Sequence, residues 1–223
     1  MKVGVMIPTY KRPDLLRAAV LQWIVQTRPP DIICVHQNGE SESYEWVVED
    51  LRSLVHVKWV YMPKTIPQHR WYLVPLSYLI AQDCDVFFWG DHDDIYLRNH
   101  VEKCIRELVH ADITVSETCG VLYLKGKEFA YDKPRKFTAH APGGMSSSMA
   151  FNRPFALVLE EDLQDDTNTF FSDNVVANVT MPKFRVFRGE RNTTVYVSHS
   201  GSYSSSSWVK ESDWAKEANW GTV

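Results

Sequence analysis

Val86-Phe87-Phe88-Trp89-Gly90-Asp91-His92-Asp93-Asp94 is an apolar run that ends abruptly in a glycine, three carboxylates and a histidine. Short continuous apolar runs closed by turn residues read as buried strands. The acidic residues therefore emerge where a strand leaves the core. Carboxylates this close repel one another, and a fold that concentrates them at a strand end has a cation or a proton to share. A solvated acidic turn is the plain alternative. The hydrophobic strand feeding the cluster argues against it.

Working back from this stretch, the chain alternates. Val3 to Ile7 is a β-branched run stopped by Pro8, a first strand. Pro13 suits the first turn of a helix, and Leu15, Leu16, Ala19, Val20, Trp23 and Ile24 give that helix one apolar face as far as about Gln26. Pro29-Pro30 breaks it. Asp31 to His36 is a second strand, Glu42 to Leu54 a second helix, Val55 to Met62 a third strand, and Arg70 to Gln82 a third helix whose first turn is bounded or kinked by Pro75. Cys84 to Trp89 is the fourth strand. Strand and helix alternating through short connections predict a parallel, right-handed α/β sheet. The loops at Pro8, Gln37, Pro63 and Gly90 then share the carboxyl edge, where open α/β sheets bind ligands.

The second half is expected to be mixed. A helix at 97–109 is followed by strands at 119–125, 127–131 and 146–151, a short helix at 153–160, a helix at 172–178 and strands at 183–187 and 194–198. The polar loop 134–146, with Pro142-Gly143-Gly144, has the composition of a lid or substrate loop. Residues 202–223 read as a Ser/Trp-rich tail or linker leading to possible further domains of a longer polypeptide.

The whole is expected to be one domain, 1–201, with a nucleotide-binding half at 1–95 and an acceptor-binding half at 96–201. A length of 223 residues is enough for a sizeable core. The net charge of −4 offers no basic field for a nucleic-acid backbone. No segment has the ~18 consecutive apolar residues of a membrane span. The short apolar start, interrupted by Pro8, is no secretory signal, so a cytoplasmic protein is expected. Cys34, Cys84, Cys104 and Cys119 form no C-x-x-C pair and read as reduced, buried thiols.

Taken together, Val3-Gly4-Val5-Met6-Ile7-Pro8-Thr9-Tyr10-Lys11-Arg12 and, about eighty residues on, Gly90-Asp91-His92-Asp93-Asp94 resemble the opening loop and DxD motif of family 2-type glycosyltransferases with the GT-A fold. The resemblance covers roughly residues 1–201, and its flavour suggests an enzyme of a large algal DNA virus. It implies an inverting transferase that uses Mn²⁺ or Mg²⁺ and a UDP-sugar donor, UDP-glucose and UDP-rhamnose both being compatible, with a glycan as acceptor. It also implies site residues. Pro8, Thr9, Tyr10, Arg12, Asn38, Arg70, Asp91 and His92 would meet the nucleotide, and Asp93, Asp91 and His199 would serve the metal. Asp173, in Phe171-Ser172-Asp173-Asn174-Val175, resembles the late acidic residue that acts as base, with Asp165 and Asp166 as rivals.

Two departures stand out. Many members carry an acidic pair after the second strand, where this chain has Gln37-Asn38, and the second acidic motif is Ser172-Asp173 rather than Glu-Asp.

The chemistry gives these residue types their work. Breaking the anomeric C–O bond builds negative charge on the diphosphate, which a carboxylate-held divalent cation neutralises. The acceptor hydroxyl must lose a proton as it attacks, and a carboxylate is the usual base. Direct attack inverts the anomeric carbon. Other classes remain open: a sugar-nucleotide nucleotidyltransferase, against which stands a first loop without glycine, and a non-catalytic carbohydrate-binding module with the same fold.

Overall fold

The structure, a computed structural model, describes residues 1–125, 128–136, 146–165, 172–198 and 220–222. Its strands in chain order are β1 (Val3–Thr9), β2 (Ile32–Asn38), β3 (His56–Met62), β4 (Val86–Trp89), β5 (Ile95–Tyr96), β6 (Ile113–Ser116), β7 (Thr118–Lys125), β8 (Glu128–Lys136), β9 (Ala150–Asn152), β10 (Val186–Gly189), β11 (Thr194–Ser198) and β12 (Trp220–Thr222). The α-helices are α1 (Pro13–Ile24), α2 (Leu73–Ala81), α3 (His100–Leu108), α4 (Arg153–Gln164) and α5 (Ser172–Val175).

The fold is α/β, with a mostly parallel central sheet flanked by helices, as the sequence predicts. A seven-stranded sheet runs in the order β10-β6-β9-β4-β1-β2-β3. Strands β4, β1, β2 and β3 are mutually parallel, so the four predicted loops do share one edge. β9 enters antiparallel between β4 and β6, and this makes the sheet mixed. A smaller sheet, β12-β8-β7-β11-β5, packs the second half.

Both faces of the large sheet are covered, which is why its strands read as unbroken apolar runs. Val3, Val5, Ile7, Ile33, Val35 and Phe88 face α1, the turn-rich segment 45–53 and α3. Met6, Cys34, Phe87, Trp89 and Phe151 face α2, α4 and α5. All four cysteines are buried and unbridged. Among the described residues, no helix is long and apolar enough to cross a membrane.

Several boundaries differ from those expected. Glu45–Ser53 is a 3₁₀ helix rather than an α-helix. Its buried positions 47, 48 and 51 satisfy a three-residue turn as well as a 3.6-residue one. The third helix begins at Leu73, after a separate 3₁₀ turn at Gln68–Arg70, and Pro75 lies in its first turn. The helix expected at 172–178 continues past Val175 as a π-helical turn, Val176–Thr180. β8 is longer than expected and takes in residues 134–136 of the loop read as a lid, whose residues 137–145 lie outside the described residues. Trp220–Thr222, placed in a tail by sequence, pairs antiparallel with β8. β5 and β6 have no counterpart in the sequence reading.

Candidate functional site

The acidic cluster lies where the chain leaves one sheet for the other. β4 ends at Trp89, level with Met6, and β1 runs three residues further. The Gly90 amide donates to the Met6 carbonyl at 2.9 Å, so the chain continues alongside the C-terminal end of β1. His92 Nδ1 then donates to the Pro8 carbonyl at 3.1 Å. Two residues beyond Asp93, β5 opens the smaller sheet, antiparallel to β11. Gly90 is required by contact. A Cβ there would stand 2.9 Å from the Met6 carbonyl oxygen and about 3.1–3.2 Å from Val5 and Ile7.

The three carboxylates have separate settings. Asp94 is buried, and its Oδ1 accepts the Val197 amide of β11 at 3.1 Å. Burial pushes the Asp94 carboxyl well above the usual range, and the charges of Asp91 and Asp93 push it further. Asp91 and Asp93 are half-buried at the rim. The Asp91 carboxylate accepts from the Tyr72 hydroxyl, and its amide donates to the Tyr96 hydroxyl at 2.7 Å. The cluster concentrates hard oxygen donors, a chemistry that suits Mg²⁺ or Mn²⁺. Among the described residues, no three His, Cys, Asp or Glu side chains converge into a ligand set. Asp91 and Asp93, half-buried at the rim, are the carboxylates of the cluster that could hold such a cation.

The neighbouring loops are braced by their own polar residues. Thr9 is 2% exposed and its hydroxyl pairs with that of Tyr44 at 3.0 Å. Gln37, fully buried, donates to the Glu42 carbonyl and accepts the Tyr44 amide, which shapes the loop 39–44. Asn38 Oδ1 accepts the Ile66 amide at 3.1 Å and so ties down the loop after β3. Gly39, at φ +74°, lets the chain turn against Thr65, whose hydroxyl a Cβ would meet at 2.2 Å. Tyr10, half-buried, lies across from Trp71 with ring centroids 6.4 Å apart. Beyond β2, Lys11, Glu40, Glu42, Tyr44 and Trp46 line a cleft of about 520 Å³.

The sequence-predicted residues fall into three groups. Pro8, Tyr10, Arg12, Asp91, His92 and Asp93 come together on the carboxyl edge. Thr9 and Asn38 stand on the same edge, but their side chains are buried and act as loop braces. Arg70 is on the 3₁₀ turn after β3, where its guanidinium donates to the Gln164 carbonyl at the end of α4 at 3.0 Å. Asp173 is the second residue of α5, which packs on that same turn. Asp165 follows the last residue of α4, and Asp166 and His199 lie outside the described residues.

Sequence reasoning included Asp94 in the motif but missed Tyr72 and Tyr96 as parts of the site. Tyr96 stands two residues beyond the motif, and its burial could be suspected from the β-prone pair Ile95-Tyr96. Tyr72 left no signal, because its contact with Asp91 is made by folding.

The fold as a whole also occurs among solved structures. The crystal structure of Staphylococcus aureus TarS residues 1–349 in complex with UDP-GlcNAc superposes with a TM-score of 0.69 at 14% identity, covering 93% of this chain and 62% of that one. The same fragment in complex with UDP gives a TM-score of 0.63 at 14% identity, covering 89% and 61%. A longer TarS structure gives 0.64 at 14% identity, covering 89% and 37%. This chain thus has the fold of TarS and spans about three-fifths of the TarS 1–349 fragment. No protein-family model matches the sequence, and a search of curated proteins finds no match. The viral source suggested by the resemblance gains no support from these staphylococcal matches.

Proposed function

We propose that this chain is an inverting, metal-dependent glycosyltransferase that moves a sugar from a UDP-sugar to a glycan hydroxyl. The observation that carries the reading is the Asp91-to-Asp94 cluster. It lies at the carboxyl edge beside the ends of β1 and β2, in a fold shared with a protein crystallised with UDP-GlcNAc and with UDP. In this reading the nucleotide lies along the ends of β1 and β2. Pro8, Tyr10 and Arg12 line it, with Thr9 and Asn38 holding the loops around it. Asp91 and His92 sit at the ribose and diphosphate, and Arg70 adds positive charge from the turn after β3.

Asp93 and Asp91, with His199, would hold Mn²⁺ or Mg²⁺, which supplies Lewis-acid stabilisation of the diphosphate as it leaves. Asp94 stays inside, bound to β11, and keeps the two sheets in register around the donor. Asp173, on α5, takes the proton from the acceptor hydroxyl as that oxygen attacks the anomeric carbon from the face opposite the nucleotide. UDP-glucose, UDP-rhamnose and UDP-GlcNAc are the donors to try first.

The test is a panel of nucleotide sugars, each incubated with the protein with and without Mn²⁺, and assayed for nucleoside diphosphate. We expect release from a UDP-sugar only, and only with metal. Release that persists in EDTA, or that prefers another base, would contradict the reading. Asp173→Asn should abolish transfer while UDP binding survives, and retained transfer would move the base to Asp165 or Asp166.

A further inference from the structure

Tyr72 and Tyr96 reach Asp91 from opposite sides of the large sheet. Tyr72 precedes α2 and is 4% exposed, its ring stacked on Trp89 with centroids 3.6 Å apart and planes 23° from parallel. Its hydroxyl donates to Asp91 Oδ1, with the Gly90 carbonyl 3.2 Å away. Tyr96, 3% exposed, packs on Trp23 at 4.4 Å, and the Gln22 side chain accepts its amide at 2.7 Å. Its hydroxyl accepts the Asp91 amide.

Asp91 belongs to no helix or strand, so nothing in the regular structure fixes its torsions. Two phenols hold it from either side. One holds the backbone at its N–H and the other holds one carboxylate oxygen, which together restrict how the carboxylate can turn. Burial alone does not explain the Tyr72 contact. The Gly90 carbonyl already offers that hydroxyl an acceptor, yet it lies closer to the carboxylate.

Resting on the UDP-sugar reading above, we propose that Tyr72 is a positioning residue that orients the Asp91 carboxylate for the nucleotide, with Tyr96 fixing the Asp91 backbone. Groups that hold a metal-ligating side chain in place usually matter about tenfold or more to metal affinity or activity. Tyr72 acts through Asp91 and touches no reacting atom.

The experiment is a calorimetric titration of UDP in Mn²⁺ into four proteins: wild type, Tyr72→Phe, Asp91→Ala and the double variant. Tyr72→Phe keeps the ring on Trp89 and removes only the hydroxyl, and melting curves check that each variant is folded. We expect UDP binding weakened roughly tenfold in Tyr72→Phe, and no further loss when Tyr72→Phe is added to Asp91→Ala. Tyr72→Phe that binds like the wild type would overturn this inference alone, as would an equal loss in both backgrounds, which marks a merely structural effect. Wild-type protein that binds no UDP would overturn both this inference and the function on which it rests.

Discussion

At the scale of single residues, the clearest constraint is at Gly90. Its missing Cβ lets the chain lie close against the backbone of β1 and bring His92 onto the Pro8 carbonyl. The nearest obstacle is a backbone carbonyl, which cannot swing aside as a side chain would. Gly90→Ala should lower stability by about 1–3 kcal/mol, as overpacking does, and urea unfolding would measure it. Nucleotide-sugar turnover should fall further than the stability change explains, because Asp91 moves with the backbone.

The carboxylates themselves were legible in sequence, since an apolar run ending in three acids is a local pattern. The side chains that set them were not. Tyr72 lies nineteen residues upstream of Asp91, and Val197 is 103 residues beyond Asp94. Thr9 and Asn38 mark the opposite limit: their positions on the edge could be read, but not that their side chains turn inward.

Single elements carry the pH dependence. His100 opens α3 in full burial, bonded through Nδ1 to the Thr193 hydroxyl at 2.8 Å and ringed by Trp23, Phe88 and Tyr96. Burial, and then the Arg191 charge, hold its pKa well below the ordinary value. The folded protein therefore keeps His100 neutral where the unfolded chain would bind a proton. The sign follows: this stability is fully present above about pH 6.5 and is lost as the pH falls below it. His36, buried against the Trp71 carbonyl, acts in the same direction. A fully buried histidine steepens the acid limb by up to about 1.4 kcal/mol per pH unit. His100→Asn should lower stability at pH 8 and flatten the slope between pH 6.5 and 5, as read from chemical denaturation at several pH values. An unchanged slope would contradict the assignment.

Element types were readable where the apolar pattern was long and failed where it was short. α1 begins at Pro13 as its sequence predicts. The segment 45–53 fits two helical periods, and β5 is two residues long.

At the scale of the whole molecule, the large sheet was legible as far as β4 because its contacts are local alternations of strand and helix. The second half was not. There β9 inserts between β4 and β6, and β11 pairs β5 and β7 at long range. One buried cation holds this region together. Arg191, between β10 and β11, pairs with Glu107 of α3, donates to the Thr114 hydroxyl of β6 at 2.6 Å and binds the Ser148 carbonyl. Removing it leaves Glu107 largely buried without this partner. Arg191→Met should cost about 3–5 kcal/mol, and Arg191→Met with Glu107→Leu should recover part of that loss in the same denaturation experiment.

The proposal for the whole molecule is that the edge built around Asp91 to Asp94 binds and activates a UDP-sugar. The most direct measurement compares UDP release from the preferred UDP-sugar by wild type and by Asp93→Ala, in Mn²⁺, with melting curves showing that both are folded. Metal-dependent release by the wild type and none above background by the variant is the predicted result. Equal release by both proteins, or none by either with any nucleotide sugar, would contradict it.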